Sequence, residues 1–334
     1  MSPPKNRFER HPRKTIAFVI LILFVLINLL TKPLIPNSLT IPNPYYHHDL
    51  RPQAQSTLSW GNRPYTVSTN SLGFKDRGMR EVALLNDRYR ILFIGDSFTE
   101  GIGMPYEKTF AGLIEQDLEA SRFEVFNAGV SSYSPRLYYL KVKHLIEEVG
   151  LRLDEVHVYI DISDVQDEVI YRNYAPKPLS IGKQLDHVFT RNVYVYYALR
   201  KSKKIFRAYD SFARERGNWT HNAEAFERWG KEGLALAQEN MHKLFQLCSR
   251  HDIKMTIAVY PWPNQIERRD STAKPVAVWE TFARERGITF VNYFPHFINE
   301  KPAQEIRDTY FIKDDRHWNE QGHALIARHA GLSW

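Results

Sequence analysis

Apolar and polar positions follow one another along this chain in a way that predicts alternating strands and helices. Short apolar runs with the length of buried strands occur at residues 90–94, 123–127, 156–160, 255–260 and 289–291. Apolar residues at helical spacing lie between them, at residues 110–118, 137–148, 224–250 and 276–286. Strands that are apolar on both faces and alternate with helices predict an α/β domain whose parallel sheet is covered on both sides.

The N-terminal segment has a different pattern. Residues 15–30 read TIAFVILILFVLINLL, and residues 1–14 before them carry a net charge of +4. No cleavage site of small residues follows, so we expect an uncleaved signal anchor that crosses a membrane once, at residues 15–31. The positive-inside rule makes residues 1–14 a cytoplasmic basic tail and exports the residues that follow the span. In a bacterium, the main domain would then lie in the periplasm or otherwise outside the cytoplasm.

Proline content then suggests a connecting segment. Five prolines fall in residues 32–60 with few periodic apolar positions, which predicts an extended spacer before a domain at residues 61–334. This domain has an insertion at about residues 165–250. Within it, residues 183–216 contain nine Lys/Arg against three Asp/Glu, interleaved with aromatic side chains. Two interpretations stay open: a lid or platform that touches an anionic glycan or lipid headgroups, and a helix pair with a solvated basic face.

Charge and cysteine content exclude some functions. The net charge is +7, but +4 of it lies in residues 1–14 and only +3 elsewhere, so we expect no nucleic-acid partner. Cys248 is the only cysteine, which excludes an intrachain disulfide and a cysteine metal cluster. We expect neither a cofactor nor a metal.

Candidate chemistry begins where the strand at residues 90–94 ends. Gly95, Asp96 and Ser97 follow it directly, so a tight turn would place the Ser97 hydroxyl at the carboxyl edge of the sheet. Free backbone N–H groups at the start of the next helix would stabilise an oxyanion there. Ser97 is therefore the candidate nucleophile.

A nucleophilic serine needs a base and an orienting acid, and the C-terminal segment offers both. Asp314 precedes His317 by three residues, and both belong to the segment DDRHWNEQGH. We expect His317 to be the base and Asp314 the acid. The structural alternative is that Asp314 or Asp315 only caps the helix that follows.

These segments together resemble the SGNH (GDSL) hydrolase superfamily, in particular its membrane-anchored members similar to polysaccharide esterases and O-acyltransferases. GDSFTEG at residues 95–101 resembles the first block, with Ser97 as nucleophile, and FNAGVSSY at 126–133 resembles the second, in which Gly129 joins the oxyanion hole. Asp314 and His317 match the last block as acid and base. NSLGFK at 70–75 is similar to a segment of anchored members. The resemblance covers about residues 65–330 and implies a flavodoxin-like three-layer α/β/α sandwich.

One block of the resemblance is incomplete. Members usually carry an asparagine after the third strand as a third oxyanion donor, but the chain reads VYIDISDVQ at residues 158–166, with Ile160 at that position. Ser163 or Gln166 are the substitutes we expect, and Asn127 is a further candidate. The oxyanion hole is thus predicted to consist of the N–H groups of Ser97 and Gly129 with one of these side chains.

The resemblance implies a serine esterase or O-acyltransferase that acts through an acyl-enzyme on a cell-envelope glycan ester. For transfer, we also expect a membrane partner that delivers the acyl group. Two alternatives remain: a lipid esterase of the lysophospholipase or thioesterase kind, and a catalytically weak or inactive glycan-binding protein with the same fold. The missing asparagine favours the last, whereas Ser97, Asp314 and His317 oppose it.

Overall fold

The computed structural model describes residues 7–35, 38–61, 63–208 and 215–331. The chain divides into two compact units. The larger unit takes residues 38–178 and 214–334, and the smaller unit takes residues 1–37 and 179–213. The smaller unit is therefore built from two segments that are far apart in sequence.

The strands all belong to the larger unit. In chain order they are β1 (Thr40–Asn43), β2 (His47–Leu50), β3 (Gln55–Trp60), β4 (Arg63–Thr69), β5 (Lys75–Asp76), β6 (Tyr89–Gly95), β7 (Phe123–Asn127), β8 (Glu155–Ile160), β9 (Lys254–Val259) and β10 (Thr289–Asn292).

The main sheet has eight strands in the order β10-β9-β8-β6-β7-β5-β4-β3. The five strands from β10 to β7 are parallel, and β5, β4 and β3 are antiparallel to their neighbours. The parallel part has the flavodoxin-like strand order, in which the first strand lies between the second and the third. The predicted parallel sheet is thus confirmed for its centre, and the sheet as a whole is mixed.

The expected spacer at residues 32–60 is wrong over most of its length. β1 and β2 form a separate antiparallel pair, and β3 is the edge strand of the main sheet. Leu39, Tyr46 and Leu50 are buried within this segment. Its prolines misled the prediction because an edge strand such as β1 accommodates a proline, Pro42, without losing a ladder hydrogen bond.

The helices of the larger unit, together with those of the smaller one, are α1 (Arg7–Arg10), α2 (Pro12–Thr31), α3 (Ser97–Glu100), α4 (Phe110–Asp117), α5 (Pro135–Lys143), α6 (Asp164–Tyr171), α7 (Ile181–Asn192), α8 (Tyr194–Ala208), α9 (Ala223–Ala225), α10 (Lys231–Arg250), α11 (Pro263–Glu267), α12 (Lys274–Arg286), α13 (Phe294–Phe297), α14 (Ala303–Tyr310) and α15 (Glu320–Arg328). Helices α5, α6 and α10 contact one another, and α15 contacts both α4 and α14. Helix α12 contacts β9 and β10. The larger unit is a three-layer α/β/α sandwich.

The central strands are the most apolar part of the chain because they are covered on both sides. Every residue of β8 is buried, and Ile91, Leu92, Phe93 and Ile94 of β6 have no exposed surface. The predicted strands at 90–94, 123–127, 156–160, 255–260 and 289–291 all form, with ends that shift by no more than one residue. The predicted insertion is narrower than expected, because α6 and α10 pack on α5 and only residues 179–213 leave the larger unit.

The smaller unit consists of α1, α2, α7 and α8. The segment Pro12–Leu34 is long and apolar enough to span a bilayer, with a mean hydropathy of 2.4 and none of it buried. A signal sequence near an N-terminus has the same length and composition. Within this unit α2 contacts α8, and α7 packs against α8 as a helical hairpin.

Candidate active site

Ser97 lies where the sequence placed it, at the carboxyl end of β6. Asp96 caps the turn, since its Oδ1 accepts the N–H of Phe98 at 2.9 Å. Gly95 is needed for this geometry, because a Cβ there would lie 2.8 Å from the carbonyl oxygen of Tyr159 and would collide with Thr99 Oγ1. Helix α3 is a single turn of four residues, so its contribution at Ser97 comes from local N–H groups rather than from a long helix dipole.

His317 meets Ser97 as predicted. Its Nε2 lies 2.8 Å from Ser97 Oγ, and both residues are largely buried, with 8% of each exposed. The loop that carries it is closed by a bridge between Phe311 and Trp318 and by the hydrogen bond from Ile312 N–H to the His317 carbonyl oxygen at 2.8 Å. The serine and the imidazole are therefore within hydrogen-bond reach although 220 residues separate them.

The acid next to His317 is Asp315 rather than Asp314. Asp315 Oδ1 lies 2.5 Å from His317 Nδ1 and accepts the His317 backbone N–H at 2.8 Å. The turn explains the shift by one position: Asp315 N–H bonds to the Ile312 carbonyl oxygen, which leaves Asp314 at the turn apex with a left-handed φ of 59° and an exposed side chain. The expected placement of Asp314 beside the base is wrong.

The hydrogen bonds at Asp315 keep its carboxylate ionised. Burial on its own would raise the pKa, but the bonds from His317 and from Trp60 outweigh it and lower the pKa to about 2. A carboxylate that is charged throughout the neutral range is what an orienting acid requires.

Sequence reasoning missed Trp60, which the expected spacer contained. Its indole Nε1 donates to Asp315 Oδ2 at 3.1 Å, and its ring stands edge-on to the His317 ring at 5.3 Å between centroids. Trp60 ends the edge strand β3, 255 positions before Asp315. No local pattern links two residues so far apart, because only the register of β3 on β4 brings them together.

The two backbone donors predicted for the oxyanion hole lie on adjoining segments. Gly129 follows β7 and packs against α3 so closely that a Cβ there would lie 2.6 Å from the Glu100 nitrogen. Asn127 holds this contact: its Nδ2 donates to the Thr99 carbonyl oxygen at 2.8 Å, and its Oδ1 accepts the Gly129 N–H at 3.1 Å. Asn127 is fully buried with its amide engaged, so it does not point a donor at a substrate. The Gly129 N–H is itself occupied by Asn127 Oδ1 in this structure.

Ser163 and Gln166, the expected substitutes for the missing asparagine, both lie after β8 and are buried. The Ser163 hydroxyl donates to Asp161 Oδ1 at 2.5 Å, and its N–H bonds to the same oxygen at 2.7 Å. Gln166 lies in the first turn of α6. Neither side chain is linked to Ser97 by a hydrogen bond among the described contacts, so their role remains a prediction.

Asp96 forms a second contact with the nucleophile. Its Oδ2 lies 3.0 Å from Ser97 Oγ, which is also in contact with His317. Burial, followed by the nearby Asp161 carboxylate, raises the pKa of Asp96 well above its usual range. A neutral Asp96 would donate its proton to Ser97 Oγ, which frees the serine proton for His317. An ionised Asp96 would compete with His317 for that single proton.

Asp96 belongs to a buried carboxyl cluster with Asp161 and Asp164, whose oxygens lie within 4.8 Å of one another. Three such groups have the donor type that binds a divalent cation. Here they are engaged by protein donors: Tyr138 bonds to Asp164 at 2.8 Å and Trp262 to Asp161 at 2.7 Å. Burial raises the pKa of Asp164 well above its usual range, and its Oδ1 has no hydrogen-bond partner among the described residues.

The turn after β9, at residues 260–263, lies against this cluster. Tyr260 is 3.4 Å from Asp96 Oδ1, and Trp262 is almost completely buried on Asp161. The guanidinium of Arg316, next to the base, stacks on the Trp262 ring at 4.4 Å. The turn therefore supports the cluster behind the nucleophile.

The segment before β6 also reaches this region. Asn70 Oδ1 accepts the N–H groups of Leu72 and Phe74 and so closes its tight turn. Lys75 is fully buried and donates to the carbonyl oxygens of Gly101 at 2.8 Å and Met104 at 2.6 Å, which fixes the chain just after α3. Burial lowers the pKa of Lys75 to about 8.

Comparison with known proteins found similar solved structures but no family. No family model matches the chain, and no curated protein matches it. The chain is similar to a GDSL-like lipase from Bacteroides thetaiotaomicron VPI-5482, at 14% identity over 75% of this chain and 90% of that chain, with a TM-score of 0.41. It is also similar to the acetylxylan esterase Axe2 from Geobacillus stearothermophilus (16% identity, 75% and 98% covered, TM-score 0.42) and to TesA (12%, 72% and 96%, 0.44). At such low identity and TM-score, these likenesses carry no inference about substrate or mechanism.

Proposed function

We propose that this chain is an SGNH-type serine hydrolase that acts on ester bonds through an acyl-enzyme. The supporting observation is the continuous series of hydrogen bonds from Ser97 through His317 to Asp315, at 2.8 Å and 2.5 Å. Such a series activates a serine hydroxyl, because the imidazole accepts its proton and the carboxylate stabilises the imidazolium that forms. A buried serine with only a structural role would need neither partner.

The chemistry then follows from the positions of the atoms. Ser97 Oγ attacks the ester carbonyl while His317 Nε2 accepts its proton. The Ser97 N–H stabilises the oxyanion, and the Gly129 N–H joins it by exchanging its present acceptor, Asn127 Oδ1, for the substrate oxygen. His317 returns the proton to the leaving alcohol as the carbon–oxygen bond breaks, which leaves an acyl group on Ser97. Water, or a sugar hydroxyl in the case of transfer, resolves this intermediate with His317 again acting as base.

For the substrate we propose an ester on a cell-envelope glycan. The support is the resemblance of NSLGFK (residues 70–75) and of the apolar N-terminal helix to membrane-anchored SGNH members that modify polysaccharides. O-acyl transfer to a glycan belongs to the same proposal, with a membrane partner as acyl donor. A catalytically inactive relative is the second candidate, since the Ser163 hydroxyl is engaged by Asp161 and position 160 carries no donor.

Fluorophosphonate labelling of the full-length protein in detergent tests the proposal. We expect covalent labelling that Ser97→Ala abolishes, together with release of acetate from acetylated glycans or of an aryl alcohol from a small aryl acetate. His317→Ala should abolish turnover as well, and the double variant should be scarcely worse than either single one, because the two residues act as a unit. Labelling that survives Ser97→Ala would contradict Ser97 as the nucleophile. A folded protein that is neither labelled nor active would favour the inactive relative.

We further propose that α2 is an uncleaved single-pass anchor that holds the catalytic unit outside the cytoplasm. Its length and hydropathy support a membrane span, and the net charge of +4 in residues 1–14 supports the orientation. A C-terminal reporter enzyme that is active only outside the cytoplasm should be active in the fusion, and the full-length chain should sediment with membranes. A mature N-terminus near residue 32 would contradict the anchor while leaving export intact.

A further inference from the structure

The hairpin of α7 and α8 has apolar stripes that are exposed among the residues that the structure describes. In α7 these are Ile181, Leu185, Val188 and Phe189, which recur at helical spacing and are 45–75% exposed. In α8, Val195 and Leu199 are 49% and 58% exposed. Large exposed apolar surfaces on a folded protein mark an interaction site.

Polar contacts fix the two helices to each other rather than covering the stripes. Asp186 of α7 accepts hydrogen bonds from Tyr196 and, at 2.8 Å, from Arg200 of α8. Ser180 caps the start of α7 through the Lys183 N–H, at 3.3 Å. The hairpin thus has its own internal hydrogen bonds, and its apolar residues remain exposed.

The charge of the hairpin is strongly positive. Residues 181–208 contain seven Lys/Arg and one Asp, a net charge of +6. Tyrosines at positions 194, 196 and 197 accompany them, a residue type that concentrates at the level of lipid headgroups. A basic amphipathic helix with this composition is typical of segments that lie in a membrane interface and attract anionic lipids.

The surroundings of the hairpin within the smaller unit indicate what covers it. Helix α8 contacts α2, whose apolar side chains from Ile16 to Leu30 are themselves uncovered. Because the two helices are in contact, lipid that surrounds α2 would also reach the surface of α8. A soluble partner protein would have to cover α8 alone, because α2 would stay in the bilayer.

We propose that α7 and α8 form a membrane-binding hairpin that inserts its apolar stripes into the interface of the bilayer that α2 spans, with its basic residues at anionic headgroups. This inference rests on the membrane anchor proposed above but not on the catalytic role of Ser97. It assigns a binding function to residues 181–202, which the hydrolase chemistry does not use.

Single-cysteine labelling of the full-length protein tests the hairpin directly. The native Cys248 is 1% exposed, and burial raises the pKa of its thiol to about 12, so an introduced cysteine is labelled selectively. An environment-sensitive fluorophore is attached to the cysteine of Val188→Cys, on the α7 stripe, or of Leu199→Cys, on the α8 stripe. The protein is reconstituted into vesicles of phosphatidylcholine with a minor fraction of phosphatidylglycerol, with and without lipids that carry a quencher.

We expect both probes to shift their emission to shorter wavelength and to lose intensity with quencher lipids. The matched controls are Lys183→Cys, on the opposite side of α7, and Leu85→Cys, an equally apolar position in the larger unit that is 71% exposed. These controls share the same anchored molecule and should respond to a water-soluble quencher instead. A Leu23→Cys probe in α2 reports separately on the anchor, and fluorophosphonate labelling of each variant reports separately on the catalytic site.

Equal access of the water-soluble quencher to positions 188, 199, 183 and 85 would overturn the proposal. Probes at 188 and 199 that are shielded from water but not reached by quencher lipids would also overturn it, in favour of a protein partner or a second copy of the chain. Replacing phosphatidylglycerol with phosphatidylcholine should weaken the quenching, and equal quenching in both lipids would contradict the role given to the basic residues.

Discussion

Asp315 binds His317 at two points: one carboxylate oxygen lies 2.5 Å from the ring nitrogen Nδ1 and 2.8 Å from the main-chain nitrogen of the same residue. The acid and the base are thus parts of one short turn. Because the turn itself is stabilised by this contact, the imidazole is oriented before substrate arrives, which is the condition for efficient general-base catalysis.

Replacing each aspartate in turn by asparagine tests whether Asp315 or Asp314 acts on His317. Asp315→Asn should lower kcat by roughly a hundred- to ten-thousand-fold, because an amide no longer stabilises the imidazolium. Asp314→Asn is the matched control and should change kcat by no more than a few-fold, since Asp314 is exposed. Steady-state hydrolysis of a small aryl acetate measures both, and a larger loss in Asp314→Asn would contradict the assignment.

Trp60 should contribute through its N–H. Trp60→Phe keeps an aromatic ring beside His317 and removes the donor to Asp315 Oδ2, so we expect kcat to fall by about ten-fold, in line with about 1.5 kcal/mol for a hydrogen bond to a charged group. KM should change little, since Trp60 acts on the acid. An unchanged kcat in a variant of normal melting temperature would show that packing alone keeps Trp60 there.

Asp96 should make kcat fall at alkaline pH. The pKa of Asp96 is raised, so its neutral form predominates below that pKa and its ionised form appears as the pH rises through it. Since the ionised form competes with His317 for the serine proton, kcat should fall on that alkaline limb. Asp96→Asn retains an N–H donor at every pH and should lose this limb, whereas an unaltered pH profile in the variant would exclude the role.

Asp315 should also stabilise the fold in a defined pH window. Its pKa in the folded protein is about 2, below the usual value of 3.8, so the folded state holds the ionised form more strongly than the unfolded chain does. Its stabilising contribution is present above about pH 4 and is lost as the pH falls towards about 2. Urea unfolding across this window should show a smaller decrease in the free energy of unfolding for Asp315→Asn than for the wild type.

The third oxyanion donor remains to be identified by substitution. Alanine at the true donor should lower kcat by roughly a hundred-fold or more with little change in KM, because the bond strengthens in the transition state. Ser163→Ala and Gln166→Ala are compared on the same ester. If both retain full kcat, the N–H groups of Ser97 and Gly129 suffice and neither side chain completes the hole.

Much of the fold could be predicted because its centre depends on local signals. The strand before Ser97 is a run of fully buried apolar residues followed by a glycine, and each of these features lies within a few positions. His317 could be found in the same way, from a short segment with an acid nearby. What the sequence did not reveal was which of two adjacent aspartates faces the ring, because that depends on a left-handed φ at Asp314.

Trp60 and the strands β1 to β3 could not be predicted for a different reason. Their burial comes from pairing at the edge of the sheet and from contacts with residues far away in the chain, and their prolines imitate those of a linker. The composition of residues 183–216 did not by itself separate a solvated basic face from one that touches an anionic glycan or lipid headgroups.

The division of the chain has a consequence for its synthesis. The larger unit is interrupted at Pro178 and resumes at Arg214, and its strands β9 and β10 follow the interruption. The ribosome therefore produces α2 first and the hairpin only after β8, while the sheet still lacks two of its parallel strands and the loop with His317. Ser97 is made long before His317, so the hairpin can pack against α2 before the larger unit is able to complete its core, and the contact between Ser97 and His317 can form only late in synthesis.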